Sequence, residues 1–270
     1  MNVGEWLKVA ESQLSAAGIE TARLDALVLL EDTQKVDRAK LLAEPMLKIN
    51  AKYKALLKKL LKQRASHVPL AYVRGKVEFY GRVFVIRPGV LVPRPESEAM
   101  IDCLKQLDKL PVQPKIADIG TGSGALGITA ALEVADSRVE LLEIDSKVLK
   151  IAKMNVDLFT LEIEAKKSDL LANSGQSNDV LLCNLPYVPD DYPLNRAAAH
   201  EPALALFGGP DGLDLYRELL QQIKSLPFQP LYLLTESFPA QHHKLSAEAK
   251  RAGYKLVKTD GFIQVFSRVQ

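Results

Sequence analysis

The chain has little of several residue types, and each shortage excludes a class of protein. Two cysteines, Cys103 and Cys183, and four histidines in 270 residues supply neither a disulfide framework nor a convincing set of metal ligands, so no metal site is expected. No uncharged apolar run approaches the roughly 18 residues that cross a bilayer, which excludes a transmembrane helix, and no membrane partner is expected. The N-terminus carries Glu5 beside Trp6 and lacks the apolar stretch of a secretory signal, so a cytoplasmic protein is expected. Aromatic residues are only 6%, but apolar residues reach 47% and charged residues 25%. Those proportions exclude disorder and collagen-like repeats and fit one large α/β unit or two domains.

The net charge of +2 is unevenly spread. Residues 1–75 hold thirteen Lys/Arg against eight Asp/Glu, hence +5, and the remainder is at −3. The excess gathers in Lys52, Lys54, Lys58, Lys59, Lys62 and Arg64. An acidic partner or nucleic acid would meet such a run, and a solvated helix face is the plainer reading.

Residues 1–75 read as a small helical bundle. Trp6, Ala10 and Leu14 recur at helical spacing, and Gly18 follows as a stop. Thr21 is placed to cap a second helix whose apolar stripe is Leu24, Leu27 and Val28. Asp37 opens a third, and Asn50 a fourth with Tyr53, Leu56, Leu57, Leu60 and Leu61 on one side and most of the lysines on the other. Residues 76–92 read as a β-hairpin linker, with Gly81 at its centre and Pro88-Gly89 closing it. Val92 to Glu96 follows as an extended segment, after which Ser97 is placed to cap a helix.

Over 93–270 strands and helices alternate. Strands are expected at 115–119, 139–144, 163–167, 180–183 and 231–234, with helices between them, and an antiparallel pair at 254–258 and 263–266 across Asp260-Gly261. Alternating βα units imply a mostly parallel sheet covered by helices on both faces, with ligands outside the C-terminal strand ends.

Two segments stand at such ends. Asp118-Ile119-Gly120-Thr121-Gly122-Ser123-Gly124 leaves a strand and enters a helix, and its glycines let a ligand approach the backbone closely. Asp145, at the end of the next strand, lies at the distance where a carboxylate binds ribose hydroxyls; Glu143 alternates with it. The loop alone leaves a nicotinamide cofactor open, because Gly120, Gly122 and Ala125 also satisfy the looser dinucleotide pattern. Asn184-Leu185-Pro186-Tyr187 after the strand 180–183 discriminates. An amide-type nitrogen is a poor nucleophile because its lone pair is delocalised. The Asn184 side-chain oxygen and the Leu185 carbonyl are suited to accept both of its hydrogens, and the Tyr187 face to cover the planar group as positive charge builds.

Together, Asp118–Gly124 and Asn184–Tyr187 resemble class I S-adenosylmethionine-dependent methyltransferases that act on planar nitrogens. Further blocks narrow the resemblance: Pro69-Leu70-Ala71-Tyr72-Val73-Arg74-Gly75, Glu78-Phe79-Tyr80-Gly81, Val90 to Glu98, and His200 to Leu213 with its Phe207-Gly208-Gly209-Pro210-Asp211-Gly212 core. Over nearly the whole chain the sequence resembles the peptide chain release factor glutamine methyltransferases. The resemblance implies an α/β, Rossmann-like fold with a mostly parallel seven-stranded sheet ending in an antiparallel hairpin, preceded by a helical domain that docks the substrate. It implies S-adenosylmethionine as cofactor, its methionine part cradled by Gly120, Thr121, Gly122, Ser123 and Gly124, its ribose held by Asp145 and its adenine near Leu170. Asn184 would touch cofactor and substrate; Asn184, Leu185, Pro186 and Tyr187 would clamp a glutamine amide, with Asn184 and Tyr187 as the catalytic pair. The implied partner is a class-1 release factor, methylated on the glutamine of its Gly-Gly-Gln loop by a monomeric enzyme.

Two positions depart from the family pattern, Leu185 where proline is usual and Leu170 where an aromatic residue often meets the adenine. Two other readings remain open on sequence. One is N6-adenine methylation of DNA or RNA, which the −3 charge of the catalytic portion disfavours. The other is a binding module that keeps only the fold.

Overall fold

The computed structural model describes residues 1–175 and 177–269; residue 270, the last of the expected methyltransferase domain, lies outside the described residues. The chain divides into two compact units, Met1–Lys76 with Leu194–His200, and Val77–Pro193 with Glu201–Gln270.

The first unit is built from α1 (Val3–Ala16), α2 (Ala22–Gln34), α3 (Arg38–Ala43), α4 (Lys54–Ala65) and α5 (Leu70–Arg74). Trp6, Ala10 and Leu14 are buried, as their spacing predicts. Asn2 and Glu5 form a capping box at the start of α1. Asp37 caps α3 by accepting from the Ala39 N–H at 2.8 Å.

Four expectations are corrected here. Leu24 is exposed, while Leu27 and Val28 are buried as expected, together with Ala22, Asp25, Ala26, Leu29, Leu30 and Thr33. Thr21 holds the cap position without a side-chain bond, and its carbonyl accepts from Asp25 N–H instead. Arg64 does not belong to the free basic face: its Nε sits 2.6 Å from the buried Asp25 carboxylate. Lys52, Lys54, Lys58, Lys59 and Lys62 remain exposed. Leu57 and Leu61 carry the packing of α4, while Leu56 faces solvent. The five-residue α5 was too short to show a period.

The second unit opens with β1 (Lys76–Phe79) and β2 (Arg82–Val85). Their turn uses positive φ at Tyr80 and Gly81, the pattern of a type I′ hairpin. Phe79 and Phe84 are buried with edge-on rings and join Met100, Ile101 and Leu104 of α6 (Glu98–Lys105) in one core. Through these two rings the hairpin packs onto this unit's core, while Glu78, Gly81 and Val83 stay exposed.

The main sheet contains β3 (Lys115–Ile119), β4 (Arg138–Glu143), β5 (Glu164–Lys167), β6 (Val180–Cys183), β7 (Tyr232–Glu236), β8 (Tyr254–Asp260) and β9 (Ile263–Arg268). Its order among the described residues is β5-β4-β3-β6-β7-β9-β8, parallel throughout except for β9, which runs against both β7 and β8. The terminal hairpin is longer than its apolar pattern suggested, because exposed Thr259 and Asp260 continue the pairing. Helices α7 (Ala125–Glu133), α8 (Ser146–Leu158), α9 (Asp214–Lys224) and α10 (His242–Arg251) complete the unit. Alternate residues of each strand feed two cores: Ile116, Leu182 and Leu234 enter one, Ala117, Leu181 and Leu233 the other. The strand order reverses at β3, which has β4 on one side and β6 on the other. The crevice beyond its C-terminal end is therefore the place for a ligand.

Candidate active site

A cavity opens at that reversal point. Its wall contains Gly120, Thr121, Gly122 and Ser123 from the loop after β3, and Glu143 and Asp145 from the end of β4. Leu170 follows β5, and Asn184, Leu185 and Pro186 follow β6. Chain topology thus brings nine of the expected site residues into one wall. Gly124 and Tyr187 are not among the lining residues. Gly124 begins α7 with positive φ, packed where an added Cβ would come within 2.9 Å of Ile128.

The glycine loop is held from below. Gly120 and Thr121 both donate to the Leu142 carbonyl, at 2.8 and 3.0 Å, and Gly122 donates to Glu143 Oε2 at 3.0 Å. These three N–H groups are committed internally, so the loop offers close approach to its backbone more than hydrogen-bond donors. Asp118 anchors the same turn, accepting from Thr121 Oγ1 at 2.5 Å and Gly127 N–H at 2.8 Å. Burial pushes its carboxyl up to about 6 against those two hydrogen bonds.

The two carboxylates at the end of β4 differ in surroundings. Glu143 is nearly buried and also accepts from Asp145 N–H at 3.0 Å; burial raises its pKa. Asp145 is more exposed, and its Oδ1 caps α8 by accepting from Lys147 N–H at 2.6 Å. Leu170 sits in the left-handed region with φ +48°, its carbonyl accepting from Ser168 Oγ at 2.8 Å. Close backbone, two acids at a strand end and the apolar Ile144 and Leu170 fit an aminoacyl group, a diol and a flat base side by side. The residues present therefore fit the cofactor that the resemblance implies.

The segment after β6 is fixed from several directions. Asn184 Nδ2 donates to Ser97 Oγ at 2.9 Å. Ser97 was expected to cap α6; it makes no cap bond, lies in the 3₁₀ turn Pro95–Ser97, and lines the cavity. Leu185 is buried and packs beneath the loop, so that a Cβ on Gly120 would come 3.2 Å from its Cδ2. Leucine in place of proline thus fills core volume while leaving the backbone carbonyl in the turn. The Tyr187 hydroxyl donates to Glu236 Oε1 at 3.0 Å, and its ring meets Phe238 edge-on at 5.1 Å. Burial and the adjacent Glu236 charge raise the Tyr187 pKa, so the phenol stays protonated. Gln241 Nε2 donates to the Tyr187 carbonyl at 2.7 Å. Gly212, with φ +76°, lies so close that a Cβ would stand 2.0 Å from that same oxygen.

The residues that sequence reasoning missed are mostly acids. Glu201 lies in the His200–Leu213 block, yet its role emerges only in three dimensions. Its buried carboxylate accepts from Arg94 Nη2 at 2.6 Å and Val92 N–H at 3.1 Å, tying the proline-arginine segment to the block that supplies Pro202, Leu204 and Ala205 to the wall. Glu236 ends β7, two residues beyond the expected end of that strand, and a carboxylate closing an apolar run is the local signal that could have found it. Cys183 is buried and its thiol pKa is raised well above the usual range by desolvation, as suits a core residue.

Comparison with known proteins agrees with this geometry. Residues 5–75 match the PrmC N-terminal domain family, and residues 95–200 match the methyltransferase small domain family. The chain is 34% identical over 219 residues to the release factor glutamine methyltransferase of Koribacter versatilis, covering 79% of this chain and 78% of that one. It is 33% identical over 237 residues to the Bacillus anthracis protein of the same name, covering 84% and 82%. Among solved structures, the T. thermophilus 16S rRNA N2 G1207 methyltransferase, in complex with AdoMet and guanosine, aligns with TM-score 0.54 at 16% identity over 72% of this chain and 50% of that chain. A methyltransferase from Pyrococcus furiosus aligns with TM-score 0.54 at 15% identity, covering 82% of this chain and all of the other. The solved structures share the Rossmann-like fold, and the sequence relatives fix the family: this chain belongs to the release factor glutamine methyltransferases.

Proposed function

We infer that the protein transfers a methyl group from S-adenosylmethionine to the side-chain amide nitrogen of the glutamine in the Gly-Gly-Gln loop of a class-1 peptide chain release factor. The observation that carries this reading is the Asn184 carboxamide, placed in the cavity wall with the glycine loop while its Nδ2 is engaged by Ser97. That bond leaves Asn184 Oδ1 as the end available to accept from a substrate amide.

The cofactor, when bound, supplies an electrophilic methyl carbon. Everything else falls to the chain. Gly120 to Ser123 and Asp145 hold the cofactor, with Leu170 against its base. Gly124 shapes the start of α7 beneath them. Asn184 Oδ1 and the Leu185 carbonyl accept the two amide hydrogens of the glutamine, which turns the nitrogen lone pair away from its own carbonyl. Pro186 and the Tyr187 ring cover the amide, and the ring's π face stabilises the charge that develops on nitrogen. The methylated amide loses its surplus proton to solvent. No side chain in this scheme has to act as a strong base.

We assign the helical first unit, residues 1–75, to docking the release factor; its match to the PrmC N-terminal domain and the exposed lysines of α4 support that role. We assign the reaction to the cytoplasm, with a monomeric enzyme and protein as the substrate. Adenine methylation would use a similar clamp, but the relatives named for glutamine methylation favour the protein substrate.

Incubation of the full chain with methyl-labelled cofactor and a release factor tests the assignment. Label is expected on the wild-type factor and none after Gln→Ala in its Gly-Gly-Gln loop. Equal label on both factors, or on neither, would overturn it.

A further inference from the structure

We propose that Glu236 is a positioning residue for methyl transfer, acting on the substrate amide through the hydroxyl of Tyr187. The proposal rests on the clamp described above and adds to it a residue that does not touch the substrate.

Cys183 pairs with Thr235 across the parallel β6–β7 contact, so Asn184 and Glu236 are the next residues on neighbouring strands. The hydroxyl of Tyr216 keeps the two ends together: it lies 2.9 Å from the Cys183 carbonyl and 2.5 Å from that of Glu236, shared between them. Glu236 is 1% exposed, and its Oε1 receives the Tyr187 hydroxyl at 3.0 Å. Its second oxygen is buried with no hydrogen bond of good geometry, although Ser97 and Asn184 stand close enough to oppose the upward pull of burial on its pKa.

Packing does not account for such a group. A buried carboxyl carries a desolvation cost, and its polar neighbours here are the Tyr187 hydroxyl, Ser97 and Asn184, so its placement serves those contacts and not apolar packing. What the carboxyl does provide is a fixed acceptor for the far end of the Tyr187 ring. The Phe238 ring, itself stacked with Tyr192 at 5.2 Å, supplies the lateral constraint. Two fixed points define the plane of the Tyr187 ring, and the ring's plane decides whether its face covers the amide. The constraint matters more in this chain because Leu185 does not lock the turn as a proline would.

The test uses Glu236→Leu, Glu236→Gln, Tyr187→Phe and the Tyr187→Phe/Glu236→Leu double variant, each in the full chain. Glu236→Leu and Tyr187→Phe are expected to lower kcat about tenfold with KM and cofactor affinity little changed, and the double variant to fall no further. Glu236→Gln keeps an acceptor and retains most of the activity. Glu236→Leu leaves the buried Tyr187 hydroxyl without its acceptor, so the Tyr187→Phe/Glu236→Leu double variant, which removes both partners, is expected to melt at the higher temperature of the two. Ultraviolet resonance Raman of the tyrosine doublet supplies a readout independent of turnover: the donor signature that Tyr187→Phe removes is lost in Glu236→Leu and kept in Glu236→Gln.

Additive losses, wild-type kcat in Glu236→Leu, or an unchanged doublet each overturn the proposal. Absence of methyl transfer by the wild type would count against the assigned reaction instead, and the Raman signature would still decide whether Glu236 holds the Tyr187 hydroxyl.

Discussion

Asn184 and Ser97, 87 residues apart in sequence, meet through a hydrogen bond from Nδ2 to Oγ of 2.9 Å inside the cavity wall. The bond distinguishes the two ends of the carboxamide: the amino end is engaged, so the oxygen end is the one left for a ligand. Ser97→Ala removes that distinction. It is expected to lower kcat by about tenfold, in line with the loss of roughly one hydrogen bond's worth of orientation, while Ser97→Thr preserves it. Steady-state kinetics of the two variants check this, and equal effects of alanine and threonine would contradict it.

Glu201 joins two segments of the cavity wall through Arg94 and the Val92 N–H. Truncation to alanine leaves the Val92 donor without its acceptor, a loss of about 1–3 kcal/mol for a buried group. Glu201→Ala should therefore weaken cofactor binding about tenfold or more, with a smaller effect on the bound enzyme's turnover. Calorimetric titration with the cofactor measures it. An unchanged Kd would mean that the wall keeps its shape without this tie.

Much of this arrangement is legible in the chain before any coordinates. The strand–glycine loop–helix unit from Lys115 is plain because the apolar run, the glycines and the helical period follow in order. Lys115–Ile119, Val180–Cys183 and Ser146–Leu158 fall at the expected boundaries. The site residues supplied by strand ends were legible for the same reason, since topology alone carries Gly120, Asp145 and Asn184 to one edge. The partners of those residues were not. Ser97, Glu201 and Glu236 reach the site from segments remote in sequence, and nothing local marks a serine after Pro95-Glu96 as a hydrogen-bond acceptor rather than a cap. Leu24 misled for a related reason: periodicity gives the spacing of a buried stripe but not its limits, and packing in the bundle buries Leu27 and Val28 while leaving Leu24 in solvent.

Asp118 links the site to pH. Its folded-state pKa, about 6, lies above the unfolded value near 3.9, so the native state binds the proton more tightly. Stability from this group is present at low pH and is lost as pH rises through about 6, with a total of about 3 kcal/mol. Asp118→Asn abolishes the titration while keeping an acceptor for Gly127. Urea unfolding at pH 4 and pH 7 should show the variant gaining on the wild type by an amount of that order at the higher pH. A wild-type-to-variant difference identical at both pH values would contradict the assignment.

The clamp itself is tested most directly by Asn184→Ala, measured for kcat with a release factor and for cofactor Kd by calorimetry. Because the carboxamide acts on the reacting nitrogen, kcat is expected to fall by about 100-fold or more while Kd moves by only a few-fold. Parallel loss of both, or a kcat close to that of the wild type, would show that Asn184 shapes the pocket without presenting the glutamine amide for methylation.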